Sequence, residues 1–394
     1  MPRFKCPKCI QLLASVLVAT TVLGQSAYAL HRLVNVGKPF PTRLIIGTVD
    51  PGITNPRDGQ VYHGFCQVWP NIAPPGSDPD YAQRFDVHVQ SASQLRLAER
   101  TGRLLALIYG EERKRLGWDH PFEKTVHVWL TPGSDPDGNA DVGGQQFRNQ
   151  IYIYDVFANR APEEWLREIT HEYGHYALPG VTGFTSPEAW ANGFLGQRLF
   201  VYWLIEDEIH GILTPADIPF VTPAQLIDYE AVEIDPPINM IEQCHGSPSS
   251  LMHLRNDKGM KAYIGLVLYC DKFYGDSMLL NTFAETVPAP GSQATAPVYL
   301  TAFQRAITSA RHFTLNGISA TGDPFAIFLP RGLWRVTTSK SVSPAKLEPQ
   351  GKLMHQYGQK VRVVRAGWFT LRVTSPVPAS TTVSFTNLGV DLKK

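Results

Sequence analysis

Surplus charge is what this sequence most conspicuously lacks. Over 394 residues, 36 Lys and Arg face 35 Asp and Glu, a formal net charge of +1. Nucleic-acid-binding chains usually carry a basic surplus, so the balance argues against nucleic acid as the main partner. Cysteine is scarce, with five in all, and two of these, Cys6 and Cys9, fall within the first ten residues. Their CPKC spacing is not followed by a second Cys pair, so it does not make a zinc knuckle. Cys66, Cys244 and Cys270 remain, an odd number that excludes a fully paired framework. Cys244 and Cys270 can join in an oxidising compartment or stand as buried thiols. There is no internal repeat, no low-complexity tract and no Asn-x-Ser/Thr sequon. Disorder is excluded by what is abundant: 43% of residues are hydrophobic, with 8 Trp, 15 Tyr and 19 Phe.

Long apolar runs are also missing, apart from one near the start at about 10–24, which is short for a membrane span. Arg3, Lys5 and Lys8 precede it, and Ala27-Tyr28-Ala29 follows as a small-x-small cleavage signal. Residues 1–29 therefore read as a secretory signal peptide, which predicts a secreted or otherwise extracytoplasmic chain with no membrane association after cleavage.

The remainder reads as an α+β protein. Residues 30–88 are rich in Pro, Gly and Asp and suggest a loop-rich N-terminal segment. Helical spacing of Leu and Ala over 91–116 predicts a helix. Alternation predicts strands at 124–130 and 150–156, flanking a polar loop at 131–144. Pro162, with Glu163 and Glu164 behind it, opens a helix to about 178, where Pro179-Gly180 ends it. By the same capping logic Ser186-Pro187-Glu188 opens another, running to about 209. Further helices are expected at 258–273 and 298–312. From 323 the pattern changes to short strands, which suggests a small C-terminal β-sandwich over 323–394.

The most informative residues are His171-Glu172-Tyr173-Gly174-His175. Two His at i and i+4 lie on one helix face a turn apart, so their imidazoles can share one metal ion. Zinc is the usual occupant of such ligands, and a catalytic site keeps one position open for water. Glu172 projects beside the pair and can take that water's proton. Gly174 inside a helix costs about 1 kcal/mol relative to Ala, which predicts close packing there.

A Tyr-rich strand, then WLREITHEYGHYALPG, then Trp190-Ala191-Asn192-Gly193, resembles the zincin metallopeptidases. No third His follows at the spacing of the three-His branch. The closer resemblance is to the gluzincins, whose third zinc ligand is a Glu on a downstream helix. It covers about residues 95–309, most strongly 150–200, and implies a zincin-like catalytic domain over 89–322. That family often has Glu where this chain has Asn192. Glu188, one predicted helical turn earlier, is the nearest carboxylate and the preferred third ligand. Asn192 is a weaker amide alternative, and Glu206 and Glu208 remain near the predicted helix end. The resemblance also offers Tyr263, in Ala-Tyr-Ile-Gly, as the oxyanion-stabilising donor, with His210 as a weaker choice and a core tyrosine as the plain alternative. The strand 150–154 resembles the edge strand that lines zincin clefts, or else is an interior strand. Asp135, Asp137, Asn139 and Asp141 alternate like the start of a calcium loop but lack its Gly and Glu, so a solvated turn is favoured.

These readings converge on a monomeric secreted Zn2+ metallopeptidase acting on a peptide or protein substrate. His171, His175 and Glu188 would hold the metal, and Glu172 and Tyr263 would be the catalytic residues. The rivals are a zincin scaffold with impaired catalysis and a binding or structural role, or a zinc hydrolase of a non-peptide bond.

Overall fold

A computed structural model describes residues 27–73, 81–138, 143–156, 160–244, 247–286, 294–339, 346–348, 354–374 and 380–389. Residues 1–26 of the expected signal segment lie outside them. The first strand, β1 (Ala27–Val36), begins at the small-x-small triplet and continues past it.

The segment 30–88 is not loop-rich. With β2 (Thr42–Thr54), β3 (Val61–Pro70) and β4 (Phe85–Val89), β1 supplies four strands of a seven-stranded sheet. Pro39, Pro56 and Gly59 sit in the hairpin connections, and Leu44, Ile46 and Val68 bury the inner face. Composition reported the turns and hid the long strands between them.

The rest of this sheet is β5 (Val126–Leu130), β6 (Gly144–Phe147) and β7 (Gln150–Ile153), in the order β1-β2-β3-β4-β5-β7-β6. β4, β5 and β7 run parallel to one another, β3 lies antiparallel to β4, and β6 turns back antiparallel to β7. A parallel pair needs a crossover. Between β4 and β5 it is α1 (Leu95–Leu116), which stops at Gly117 in the left-handed conformation, φ 69°. Leu104, Leu105 and Ile108 of α1 are buried with Val87, Val128 and Ile151, which align across the three parallel strands.

Below the sheet lie α2 (Pro162–Ala177) and α3 (Asn192–Ile209), which pack against each other. The predicted start of α3 at residue 186 is too early. Ala191 N–H donates to the Val181 carbonyl at 2.8 Å, and Trp190 bridges to Thr182, so 186–191 is a loop laid along β8 (Val181–Thr182). These tertiary bonds hold Glu188 outside the helix. Then follow α4 (Pro223–Tyr229), α5 (Asp235–Glu242), a single turn at Ser249–Met252, α6 (Asp257–Tyr269), α7 (Asp276–Thr286), β9 (Ala294–Thr295, paired with β8) and α8 (Ala296–Ser309).

The C-terminal strands form two antiparallel sheets. The first, of five strands, combines β10 (His312–Ser319), β12 (Gly332–Thr338), β14 (Met354–Tyr357), β15 (Lys360–Val363) and β17 (Ser380–Asn387). The second combines β11 (Phe325–Leu329), β13 (Lys346–Glu348) and β16 (Gly367–Arg372). This β unit starts at His312 rather than residue 323. It is joined to the helices through Tyr269, whose hydroxyl donates to the Ala326 carbonyl at 2.5 Å and whose ring stacks on Phe325. Cys66, Cys244 and Cys270 are all free thiols. Among the described residues no helix is long and apolar enough to cross a membrane.

Candidate metal centre

α2 forms where the sequence signals it, with Pro162 in its first turn and Glu163 and Glu164 near the positive end of its dipole. Trp165, Leu166, Ile169, Tyr173 and Tyr176 bury its core-facing side. His171 and His175 emerge together on the other, with Nε2 atoms 3.1 Å apart. Glu188 reaches the same point from its loop. Its Oε2 lies 3.6 Å from His171 Nε2 and 3.5 Å from His175 Nε2.

The far side of each imidazole settles which nitrogen is free. Asn192 Nδ2 donates to the carbonyls of His175 at 3.0 Å and Leu178 at 3.5 Å, so its Oδ1 accepts from His175 Nδ1 at 3.0 Å. Gln197 Oε1 accepts from His171 Nδ1 at 3.2 Å. With Nδ1 carrying the proton in both rings, the two Nε2 lone pairs and the Glu188 carboxylate converge with no donor of their own. Three acceptors in such a space call for a cation. The same set matches the two-imidazole, one-carboxylate donors that suit zinc. Asn192 is therefore a support for His175, on the ring nitrogen away from this point, and not a ligand.

Glycines open the space. A Cβ at Gly193 would collide with Nε2 of both His171 and His175. A Cβ at Gly174 would lie 2.6 Å from the Asn192 carbonyl oxygen and 2.8 Å from Gly196 Cα, so α2 and α3 touch backbone to backbone. That contact offsets the helical cost of Gly174 and brings Asn192 and Gln197 within reach of the two rings.

Glu172 is buried on α2, and its Oε2 has no hydrogen-bond partner. Burial, reinforced by Glu168 and Glu188, drives its carboxyl well above the usual range. Directly over it runs Gly144 of β6, where a Cβ would fall 2.7 Å from Glu172 Cγ. β6 is the edge of the sheet and β7 is interior, so of the two readings of 150–154 the interior strand holds. The polar run Gly144–Phe147 gave little strand signal. β6 and the site border a cleft of about 1710 Å3, walled on its other side by Trp190 and Phe194.

Several expected residues lie elsewhere. Tyr263 is fully buried in α6, packed edge-on against Tyr299, and does not line the cleft. It is a core tyrosine because the apolar run around it places α6 inside the helical layer. His210 is exposed past the end of α3, its Nδ1 donating to the Glu206 carbonyl. Glu206 pairs with Arg115 at 2.9 Å and accepts from Tyr202. Asp135 is buried and, with Asp137, is held by Arg57, which also bonds Gln145 of β6 at 3.0 Å. The exposed turn at 136–138 is the solvated turn expected, while buried Asp135 at its base anchors the edge strand through Arg57; Asn139 and Asp141 lie outside the described residues.

Gln197, Arg57 and β6 carried no motif. The readable trace of Gln197 was the i, i+1, i+4, i+5 set Asn192, Gly193, Gly196 and Gln197, a small and polar face on an otherwise apolar helix. Comparison with protein-family models, curated proteins and solved structures finds no match to this chain.

Proposed function

We propose that this chain is a secreted zinc-dependent metallopeptidase with a zincin-like catalytic domain. The observation that carries the reading is the convergence of His171, His175 and Glu188, with Glu172 buried beside them at the floor of a large cleft. His171, His175 and Glu188 would hold the metal. When bound, zinc supplies Lewis acidity toward a carbonyl and toward water.

The chain's own residues supply the rest. Glu172, buried beside the metal position with an Oε2 free of hydrogen-bond partners, is suited as its carboxylate to accept a proton from the attacking water and return it to the departing amine. The free edge of β6 offers backbone donors and acceptors along which an extended peptide can lie as an added strand. Arg57 and Arg160 stiffen that edge, Arg57 through Gln145 at 3.0 Å and Arg160 through the Gly143 carbonyl at 3.4 Å. Asn192 and Gln197 hold the imidazoles in the ligating tautomer. Asn192 at the family's usual Glu position favoured an impaired scaffold on sequence grounds. That argument weakens once Glu188 brings the carboxylate from the preceding loop.

The test is metal content together with peptide hydrolysis. Purified chain should carry zinc and cleave members of a broad peptide library. Glu172→Gln should keep zinc and fold while losing on the order of 10²–10⁴-fold in rate. A zinc-loaded wild type that cleaves nothing would overturn the peptidase reading.

A further inference from the structure

The sheet's other face carries a second convergence of ligands. Asp86 and His88 are two residues apart on β4 and point to the same side, as alternation requires. His127 on the adjacent parallel strand β5 lies directly across from Asp86. His88 Nε2 stands 3.1 Å from His127 Nδ1, the same spacing as the Nε2 pair of the candidate metal centre, and 3.9 Å from Asp86 Oδ2. Ligand atoms of all three residues lie within 4.8 Å of one another. None of the three lines the cleft.

We infer that Asp86, His88 and His127 form a second divalent transition-metal site, best suited to zinc, that pins β4 to β5 on the face of the sheet turned away from α1. Two imidazoles and one carboxylate are a zinc-type donor set, with a further position open to water or to a neighbouring amide oxygen. Gln67 on β3 and Gln150 on β7, in register with Asp86 and His127, flank it.

Gln83 donates to the Asp86 carboxylate and His88 and His127 share a hydrogen bond, yet part of this buried cluster stays unsatisfied. Asp86 is buried and its Oδ1 has no hydrogen-bond partner. Among the described residues its recorded ion-pair contact is His88, not a Lys or Arg. His88 is 1% exposed, and the nitrogen it turns toward Asp86 and His127 is Nε2. Its ring stacks on Trp129 with centroids 4.0 Å apart, which fixes the imidazole plane and aims Nε2 at His127 and Asp86. A paired cluster of this kind is pre-organised by two hydrogen-bonded strands, so binding would order little that is not already ordered. His127 is the least enclosed of the three and marks the way in.

The experiment counts metal per folded chain after dialysis against micromolar zinc, with circular dichroism to check the fold. Wild type should hold two zinc ions. His171→Ala/His175→Ala should hold one, and its melting temperature should still rise on adding zinc. Adding His127→Ala to that variant should remove the second ion and the rise. If His127→Ala does not fold, Asp86→Asn, which keeps the shape and removes the charge, should weaken the second equivalent at least tenfold. A wild type holding one zinc that disappears with His171 and His175 would overturn this inference and leave the peptidase site untouched. So would a folded His127→Ala chain that keeps its second ion. Loss of peptidase activity has no bearing on either count.

Discussion

At the scale of single residues, the candidate metal centre divides into groups that face the proposed metal position and groups that hold them there. Glu188 faces both imidazoles. Asn192 and Gln197 grip those rings from behind. A charged carboxylate ligates a dication better than anything behind it, and second-layer amides typically contribute 10–100-fold in affinity. Glu188→Ala should therefore weaken zinc binding the most. Asn192→Ala should cost about 10–100-fold, and Glu206→Ala almost nothing, since Glu206 pairs with Arg115. Competition with a chelator ranks the three, and a greater loss from Asn192→Ala than from Glu188→Ala would reverse the assignment. The local pattern of α2 identified His171, Glu172 and His175 without a structure, because i and i+4 always share a face. Glu188, the carboxylate the sequence preferred, does lie beside the two imidazoles, but by another route. It arrives from a loop, not from the helix it was expected to open.

At the scale of elements, the distance between α2 and α3 governs the site. Gly174 and Gly196 bring the two backbones together, with a Cβ at Gly196 falling 2.5 Å from Gly174 Cα. Such a contact cannot relax by rotating a side chain, so one added methyl must push the helices apart. Gly196→Ala is expected to destabilise by about 1–3 kcal/mol, as overpacking does. It should also lower zinc affinity, because Asn192 and Gln197 would withdraw from the imidazoles. Urea unfolding and a zinc titration on the same preparation check both effects. Unchanged zinc affinity in a destabilised variant would separate helix spacing from the site. The glycine within H-E-x-x-H advertised close packing from sequence. The partner glycine on α3 did not, since only the crossing shows which residue meets it.

The whole molecule carries its own titration. Glu112 of α1 is buried, and its Oε2 accepts from the Tyr173 hydroxyl of α2 at 2.7 Å. Burial outweighs that bond and pushes the carboxyl up to about 8, well above its ordinary 4.5. The folded chain then holds a proton that the unfolded chain has released between about pH 4.5 and 8. A group raised in this way stabilises the fold below its unfolded pKa, and the contribution is lost as pH rises through the folded value. The slope is at most about 1.4 kcal/mol per pH unit for one group. Glu112→Gln, which is neutral at every pH, should remove that slope and gain stability relative to wild type toward pH 8. Melting temperatures of the two proteins measured from pH 5 to 8 should converge at the acid end. Parallel curves would mean that Glu112 ionises normally in the folded chain.

Periodicity and capping act over a few residues, and the sequence by itself determined whatever depends on them. That covers α1, α2, α6 and α8 to within a few positions, the strand-rich C-terminus, and the His pair with Glu172 between them. Tertiary structure alone decided the features that depend on residues far apart in the chain. Residues 27–70 became sheet because each strand found a partner whose side chains completed a buried face, which composition cannot register. β6 became the edge because β7 paired with β5 on its other side. Tyr263 went to the core because Tyr299 came to meet it. Asp86, His88 and His127 were brought together only when β4 and β5 fell into parallel register. A ligand set assembled across strands leaves no spacing in the sequence, whereas one assembled on a helix does.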